Sequence, residues 1–550
     1  MAMPGNERVR LQRQIRRLRM ALAALGLVGT ALGGAALWAW RDRAHAEQTL
    51  AEAAALAEAM LSEAERGSPW TREQLLQQGT ELLAKLQTQA TPDTQARRLR
   101  SQMESLSSQG DQYLRAQELA KARAAYGQAL AIAEELVRLA PASAEAQRDL
   151  SVSHGKQGDL ALQSGDLKAA RASYERSFAI AKQLAERDPA SAQAQRDLSV
   201  SHERLGDVAV KARDPKTARA SYAQSVAIAR LLVERNPGVV ELQRELAVGC
   251  GKLGDVALQL GDVAAARTSY EERLAILSRL AESDPARAEL QRDLSVSYDK
   301  LGEVALRAAD LATARASYEK SLAIARQLAE RDPTSVQLQR DLSIGHSSVG
   351  DVTARAGDLA AARASYEQSL AIAKQLAERD PGSAQAQRDL SVSYSALGDL
   401  ALRADDVTAA RERYEQSLAI AKQLAERAPD DPQAQHDLCV GYSALGDIAV
   451  KAANLAAART SYEQSLAIAK QLTKRIPDSV EAQRDLMLSH DRLARVFAQQ
   501  KKWKPAATEV NEAVRLAKRA ASKRPGDERA LNDLKEVQKL QGQIRSKKTP

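Results

Sequence analysis

The chain is 550 residues long, with 79 Lys+Arg against 71 Asp+Glu, and 12 Tyr, 4 Trp and 2 Phe as its only aromatic residues. A charged fraction of 27% and a hydrophobic fraction of 44% suit folded, water-exposed protein and exclude a disordered chain or a multi-span membrane protein. Two cysteines rule out a disulfide framework or a Cys-rich zinc site, and six scattered histidines leave little for a His-based metal centre.

The charge is uneven along the chain. Residues 1–43 carry eight Arg against Glu7 and Asp42, a net of +6. Residues 495–550 carry 15 basic and 6 acidic residues, a net of +9. Against a total of +8, residues 44–494 therefore hold −7. The long middle has no basic stripe, so a nucleic-acid partner is not expected.

Residues 1–19 read as a basic cytoplasmic stub. Met20 to Trp40 is an uncharged run of 21 residues, the length a helix needs to cross a bilayer. Arg8, Arg10, Arg13, Arg16, Arg17 and Arg19 precede it and only Arg41 and Arg43 follow. The positive-inside rule then keeps the N-terminus in the cytoplasm and exports the rest, across the inner membrane of a bacterial-type cell. Ala44-His45-Ala46 has the form of a signal-peptidase site, but the apolar run is too long and Arg41 and Arg43 crowd the cleavage region. The expectation is thus a single-pass anchor. Gly29-x-x-x-Gly33 within it gives the small-residue spacing through which two such helices form a homodimer. Residues 41–94 read as a helical linker, broken at Gly67-Ser68-Pro69, and an N-terminal cap.

From about residue 95 the chain repeats every 48 residues. Gln-Arg-Asp-Leu or a close variant begins at Gln147, Gln195, Gln243, Gln291, Gln339, Gln387, Gln435 and Gln483. Proline (Pro141, Pro189 and onward to Pro525) and tyrosine (Tyr126, Tyr174 and onward to Tyr462) keep the same interval. This is a repeat array, in which each unit buries its apolar face only against its neighbours.

One unit reads as two helices. Leu150, His154, Gln157 and Ala161 form the apolar stripe of the first, and Ala170, Tyr174, Phe178 and Leu184 that of the second. Asp166, Asp214, Asp262, Asp310, Asp358, Asp406 and Asn454 stand between them as N-caps, and Pro215 takes the first helical turn after Asp214. The proline column ends the second helix. A glycine column (Gly110, Gly158, Gly206 and onward to Gly446) lies inside the first helix at a cost of about 1 kcal/mol each. Its expected partner is the alanine column Ala122, Ala170 and onward to Ala458, small against small.

Leu205-Gly206, Ala218, Tyr222 and the helix-ending proline resemble the tetratricopeptide repeat, with its W-x₂-L-G-x₂-Y, A-x₃-F and P pattern. The resemblance covers residues 95–526 as nine units, longer than the usual 34 residues, with 527–550 left as a capping helix and basic tail. It implies an all-α fold: an α-solenoid of stacked antiparallel helix pairs, a TPR-like superhelix, following one N-terminal transmembrane helix. His154, His202, Cys250, Tyr298, His346, Tyr394, Tyr442 and His490 fill the Trp position, so these histidines read as packing residues.

No Gly-rich phosphate loop, H-E-x-x-H or G-x-S-x-G occurs, so neither an enzyme nor a cofactor is expected. The resemblance implies a membrane-anchored scaffold that presents a concave groove, lined by first helices, to a partner protein or peptide. Alternatives are a sensor relaying partner binding through the membrane helix and a self-assembling structural array. The groove positions carry an acidic column, Asp159, Asp207, Asp255, Glu303, Asp351 and Asp399. Four residues on comes a polar or basic one that includes Lys211, Arg307, Arg355 and Arg403, and a varied column includes Glu203 and Asp299. The alternative is that rows of i, i+4 acid–base pairs give the first two a purely solubilising role. Some family members hold acidic tails through a Lys and Asn clamp. Here the Asn position is Asp or Glu, which implies a partner segment that is basic or mixed in charge, held along repeats two to seven.

Overall fold

The computed structural model describes residues 92–523 and 527–548. The expected membrane helix at 20–40, its dimer contact and all but residues 92–94 of the linker and cap at 41–94 lie outside the described residues. Among the described residues, no helix is long and apolar enough to cross a membrane. The chain divides into two compact units, Met1–Leu99 and Arg100–Pro550, of which only the second is described over most of its length.

The described residues form 19 helices and no strand. Nine helix pairs follow one another: α1 (Pro92–Arg115) with α2 (Leu119–Leu139), α3 (Ala144–Gln163) with α4 (Leu167–Arg187), and α5 (Ala192–Lys211) with α6 (Pro215–Arg235). The series continues as α7 (Val240–Gln259) with α8 (Val263–Ser283), α9 (Ala288–Arg307) with α10 (Leu311–Arg331), and α11 (Val336–Arg355) with α12 (Leu359–Arg379). Then come α13 (Ala384–Arg403) with α14 (Val407–Arg427), α15 (Pro432–Lys451) with α16 (Leu455–Arg475), and α17 (Val480–Gln499) with α18 (Trp503–Lys523). A last helix, α19 (Glu528–Lys548), lies on the ninth pair through Val537, Leu540 and Ile544.

Local chemistry sets the helix ends. Asp166, Asp214, Asp262, Asp310, Asp358, Asp406 and Asn454 each accept a backbone N–H three residues on, as expected of N-caps. Ser143, Ser191, Ser335, Ser383 and Ser479 cap first helices in the same way. The turn from first to second helix needs a left-handed residue, found at Gln117, Gly165, Arg213, Gly261, Ala309, Gly357, Asp405, Ala453 and Lys501. Only three of these nine are glycine; the turn's hydrogen bonds, such as Asp310 N–H to the Ala305 carbonyl at 2.9 Å, hold the others there.

Each helix packs on its chain neighbours, and several first helices also touch the first helix of the next unit. The core is accordingly a series of small clusters, such as Ala161, Ala170, Tyr174 and Val208, then Ala209, Ala218, Tyr222 and Val256. The expected stripes are present, with Leu150, Gln157, Phe178 and Leu184 half-buried at their margins.

The glycine column corrects the expectation of small against small. A Cβ on Gly158 would meet the Tyr174 ring at 2.3 Å, and Gly110, Gly206, Gly350 and Gly446 face Tyr126, Tyr222, Tyr366 and Tyr462 in the same way. Glycine is needed because a tyrosine ring lies against the first helix at that point. The alanine column is fully buried instead within the clusters around those rings.

Candidate partner-binding face

Residues 148, 152, 156, 159 and 163 follow i, i+4, i+8, i+11, i+15 along the first helix of a unit and share one of its faces. The 48-residue interval copies this face onto every first helix, and contacts between successive first helices join the copies.

The acidic column lies on this face, and most of it is committed to bonds within the array. Tyrosine hydroxyls that crossed the glycines donate to the next residue: Tyr174 to Asp159 at 2.7 Å, Tyr222 to Asp207 at 2.6 Å, Tyr270 to Asp255 at 2.7 Å and Tyr366 to Asp351 at 2.5 Å, with Tyr414 to Asp399 alike. Burial, together with these carboxylates, pushes the tyrosine hydroxyls far above their ordinary range, so they remain donors. Glu303, one methylene longer, makes no such bond with Tyr318; it pairs with Arg307 at 3.0 Å and Lys300 at 3.7 Å.

A second set of bonds crosses between units. Arg204 reaches Asp159 at 3.2 Å, Lys252 reaches Asp207 at 2.7 Å and Glu203 at 2.6 Å, and Lys300 reaches Asp255 at 2.8 Å. The expected i, i+4 ladder forms only at Glu303–Arg307 among the acidic-column residues. The polar column instead caps the preceding unit: Gln163 donates to the Leu114 carbonyl, and Arg403 to that of Ala354, both at 3.2 Å. Lys211 and Arg355 are exposed. Asp299 occupies the slot that Ser347, Ser395 and Ser443 fill in later units; burial pushes its carboxyl up to about 6, and its Oδ1 is buried without a hydrogen-bond partner.

Two features of this face are not among the expected site residues. The Gln-Arg-Asp-Leu repeat is a clamp between units. Arg148 bonds Asp197 at 2.6 Å, Arg292 bonds Asp341 at 2.6 Å, Arg388 bonds Asp437 at 2.7 Å and Arg484 bonds Asp533 at 2.7 Å. His436 replaces arginine in one rung and bonds Asp485 at 2.6 Å, which raises its imidazole pKa. The other feature is aliphatic: Val152, Val248, Ile344, Val392 and Val440 recur at one position and stand 37–60% exposed. A β-branched residue at every 48th position was the available signal.

His154 and His346 are buried and His202 half-buried, which lowers their pKa, and the Cys250 and Cys439 thiols are raised by burial to about 12 and about 11. No cluster of His, Cys, Asp and Glu suited to a metal occurs among the described residues.

No family model and no curated protein matches this sequence. Solved structures do. The apo form of RapI is 10% identical, with a TM-score of 0.49 over 77% of this chain and 99% of its own. BtubC (BKLC) from P. vanneervenii is 20% identical, with a TM-score of 0.37 over 48% of this chain and 93% of its own. A Podosopora anserina putative kinesin light chain with nearly identical TPR-like repeats is 17% identical, with a TM-score of 0.32 over 42% and 96%. The TPR-like arrangement of this chain stands on its own repeat columns and helix pairing: an all-helical repeat array with stacked pairs.

Proposed function

We propose that this chain is a non-enzymatic interaction scaffold, anchored by residues 20–40 with its N-terminus in the cytoplasm and its repeats outside it. The continuous first-helix face receives a protein or peptide segment, basic or mixed in charge. One observation carries the reading: the array repeats an aliphatic column, Val152, Val248, Ile344, Val392 and Val440, that its own packing leaves 37–60% exposed on first helices. A photo-crosslinking residue placed at Arg355, on this face, yields a discrete adduct in cells; the same residue at Lys374, exposed on a second helix, yields none. Adducts only from Lys374, or from neither position, reject the reading. For the anchor, an export-dependent reporter fused near residue 100 is active and sediments with membranes; activity in the soluble fraction rejects it.

A further inference from the structure

The first-helix face changes character along the array. In the first four units each acidic-column residue has a cation from the unit after it: Lys156 for Asp111, Arg204 for Asp159, Lys252 for Asp207 and Lys300 for Asp255. That cation column then becomes Ser348, Ala396 and Ala444, and returns only as Arg492, which bonds Asp447 at 3.2 Å. Asp351 and Asp399 are therefore left with a tyrosine hydroxyl and no cation from the next unit, and both are exposed.

The same stretch is the most apolar part of the face. Ile344, Val392 and Val440 are 46%, 60% and 48% exposed. Ser347, Ser395 and Ser443, beside the missing cations, turn their hydroxyls inward onto Ser369, Ser417 and Ser465 at 2.8–2.9 Å. The outer surface there carries methyl groups and the two carboxylates, with Arg355 and Arg403 four residues on from each acid. Small residues stand where long cationic side chains cover the face in earlier units.

We propose that this stretch of α11, α13 and α15 is a docking site for a partner segment in which Lys or Arg side chains alternate with aliphatic ones. The partner supplies the cations that units six to eight omit, and its aliphatic side chains cover the Ile344, Val392 and Val440 ladder. Successive first helices lie about 10 Å apart, which three extended residues span at about 3.3 Å each. The recognised segment is extended, with a cation at every third position. This rests on the scaffold reading above and narrows it to one region and one chemistry.

The test uses the full chain and three labelled 15-residue peptides, repeats of Lys-Ile-Ser, Glu-Ile-Ser and Lys-Ser-Ser. The first binds, the second does not, and the third binds at least about tenfold more weakly, since a lost contact of about 1.4 kcal/mol is tenfold. Ala396→Lys/Ala444→Lys installs the brace that earlier units already contain; it leaves the helical signal unchanged and weakens Lys-Ile-Ser binding at least about tenfold. Gln368→Lys/Gln416→Lys adds the same charge on exposed second-helix positions and leaves binding within about twofold. Equal loss in both double variants, no loss in the first, or no binding of Lys-Ile-Ser overturns the proposal. The Arg355 crosslink in the Ala396→Lys/Ala444→Lys background separates the two readings. An adduct that persists there keeps the scaffold and discards this docking chemistry.

Discussion

At the scale of single residues, the array shows what one substitution does inside a copied frame. Asp299 sits where later units place Ser347, Ser395 or Ser443, in a slot sized for a hydroxyl that bonds a second-helix serine. A carboxylate there loses hydration, and burial pushes its pKa to about 6 even though Ser321 donates to it. The unfolded chain releases that proton near pH 4. Between about pH 4 and pH 6 the folded form binds more protons than the unfolded one, so stability falls as pH rises through this window and stays lower above it. Asp299→Ser should therefore strengthen the unit at pH 7.5 by about 1–3 kcal/mol, with the gain fading as pH drops from about 6 to about 4. Amide exchange of α9 and α10, followed at both pH values, measures this locally. Equal protection in the two proteins at pH 7.5 would contradict the burial argument.

At the scale of helices, propensity and packing oppose each other in the glycine column, and magnitudes decide. Replacing Gly350 by alanine gains about 1 kcal/mol of helix propensity. Its Cβ, however, would lie 2.6 Å from the Tyr366 ring, which must move and take its hydroxyl off Asp351. Overpacking of this kind costs about 1–3 kcal/mol, and the lost hydrogen bond adds about 1 kcal/mol. Gly350→Ala should lower thermal stability, whereas Gly127→Ala, with nothing within 4 Å of the new methyl, should raise it. If melting curves show both variants stabilised, the ring-crossing role of the glycine is wrong. Helix ends were legible from sequence because capping acids, serines and prolines act within a few residues of themselves. What faces what was less so. The glycines meet tyrosine rather than alanine, and Asp207 meets Lys252, 45 residues away, rather than Lys211, four residues away. Both errors have one source: a helix read alone shows its own i, i+4 neighbours, while stacking brings the next unit closer. The exposed Val column is hard to read from sequence because an apolar residue recurring on a helix has the same signature as a core residue.

At the scale of the whole array, the bonds between units are interchangeable. Arg148 holds Asp197, Arg196 holds Glu245 and Arg292 holds Asp341, each 49 residues on. Asp159 is braced by Arg204 and Asp207 by Lys252, each 45 residues on. Removing residues 192–239, one whole period, should therefore bring Arg148 against Glu245 and Asp159 against Lys252, with Ser191 kept as the N-cap of α7. Stability in such arrays is close to a sum of unit and nearest-neighbour terms, so this deletion should lower the melting temperature modestly. Helicity per residue should stay unchanged, and residues beyond 240 should keep their amide protection. Removing residues 192–215 instead takes out a first helix and sets α4 against α6, two second helices whose facing columns do not match. That shorter deletion should be far more damaging than the longer one, with loss of helical signal and aggregation. Circular dichroism and exchange on the two variants decide the matter: if the 48-residue deletion unfolds as badly as the half-unit deletion, the units are not equivalent and the period is only a relic of sequence duplication.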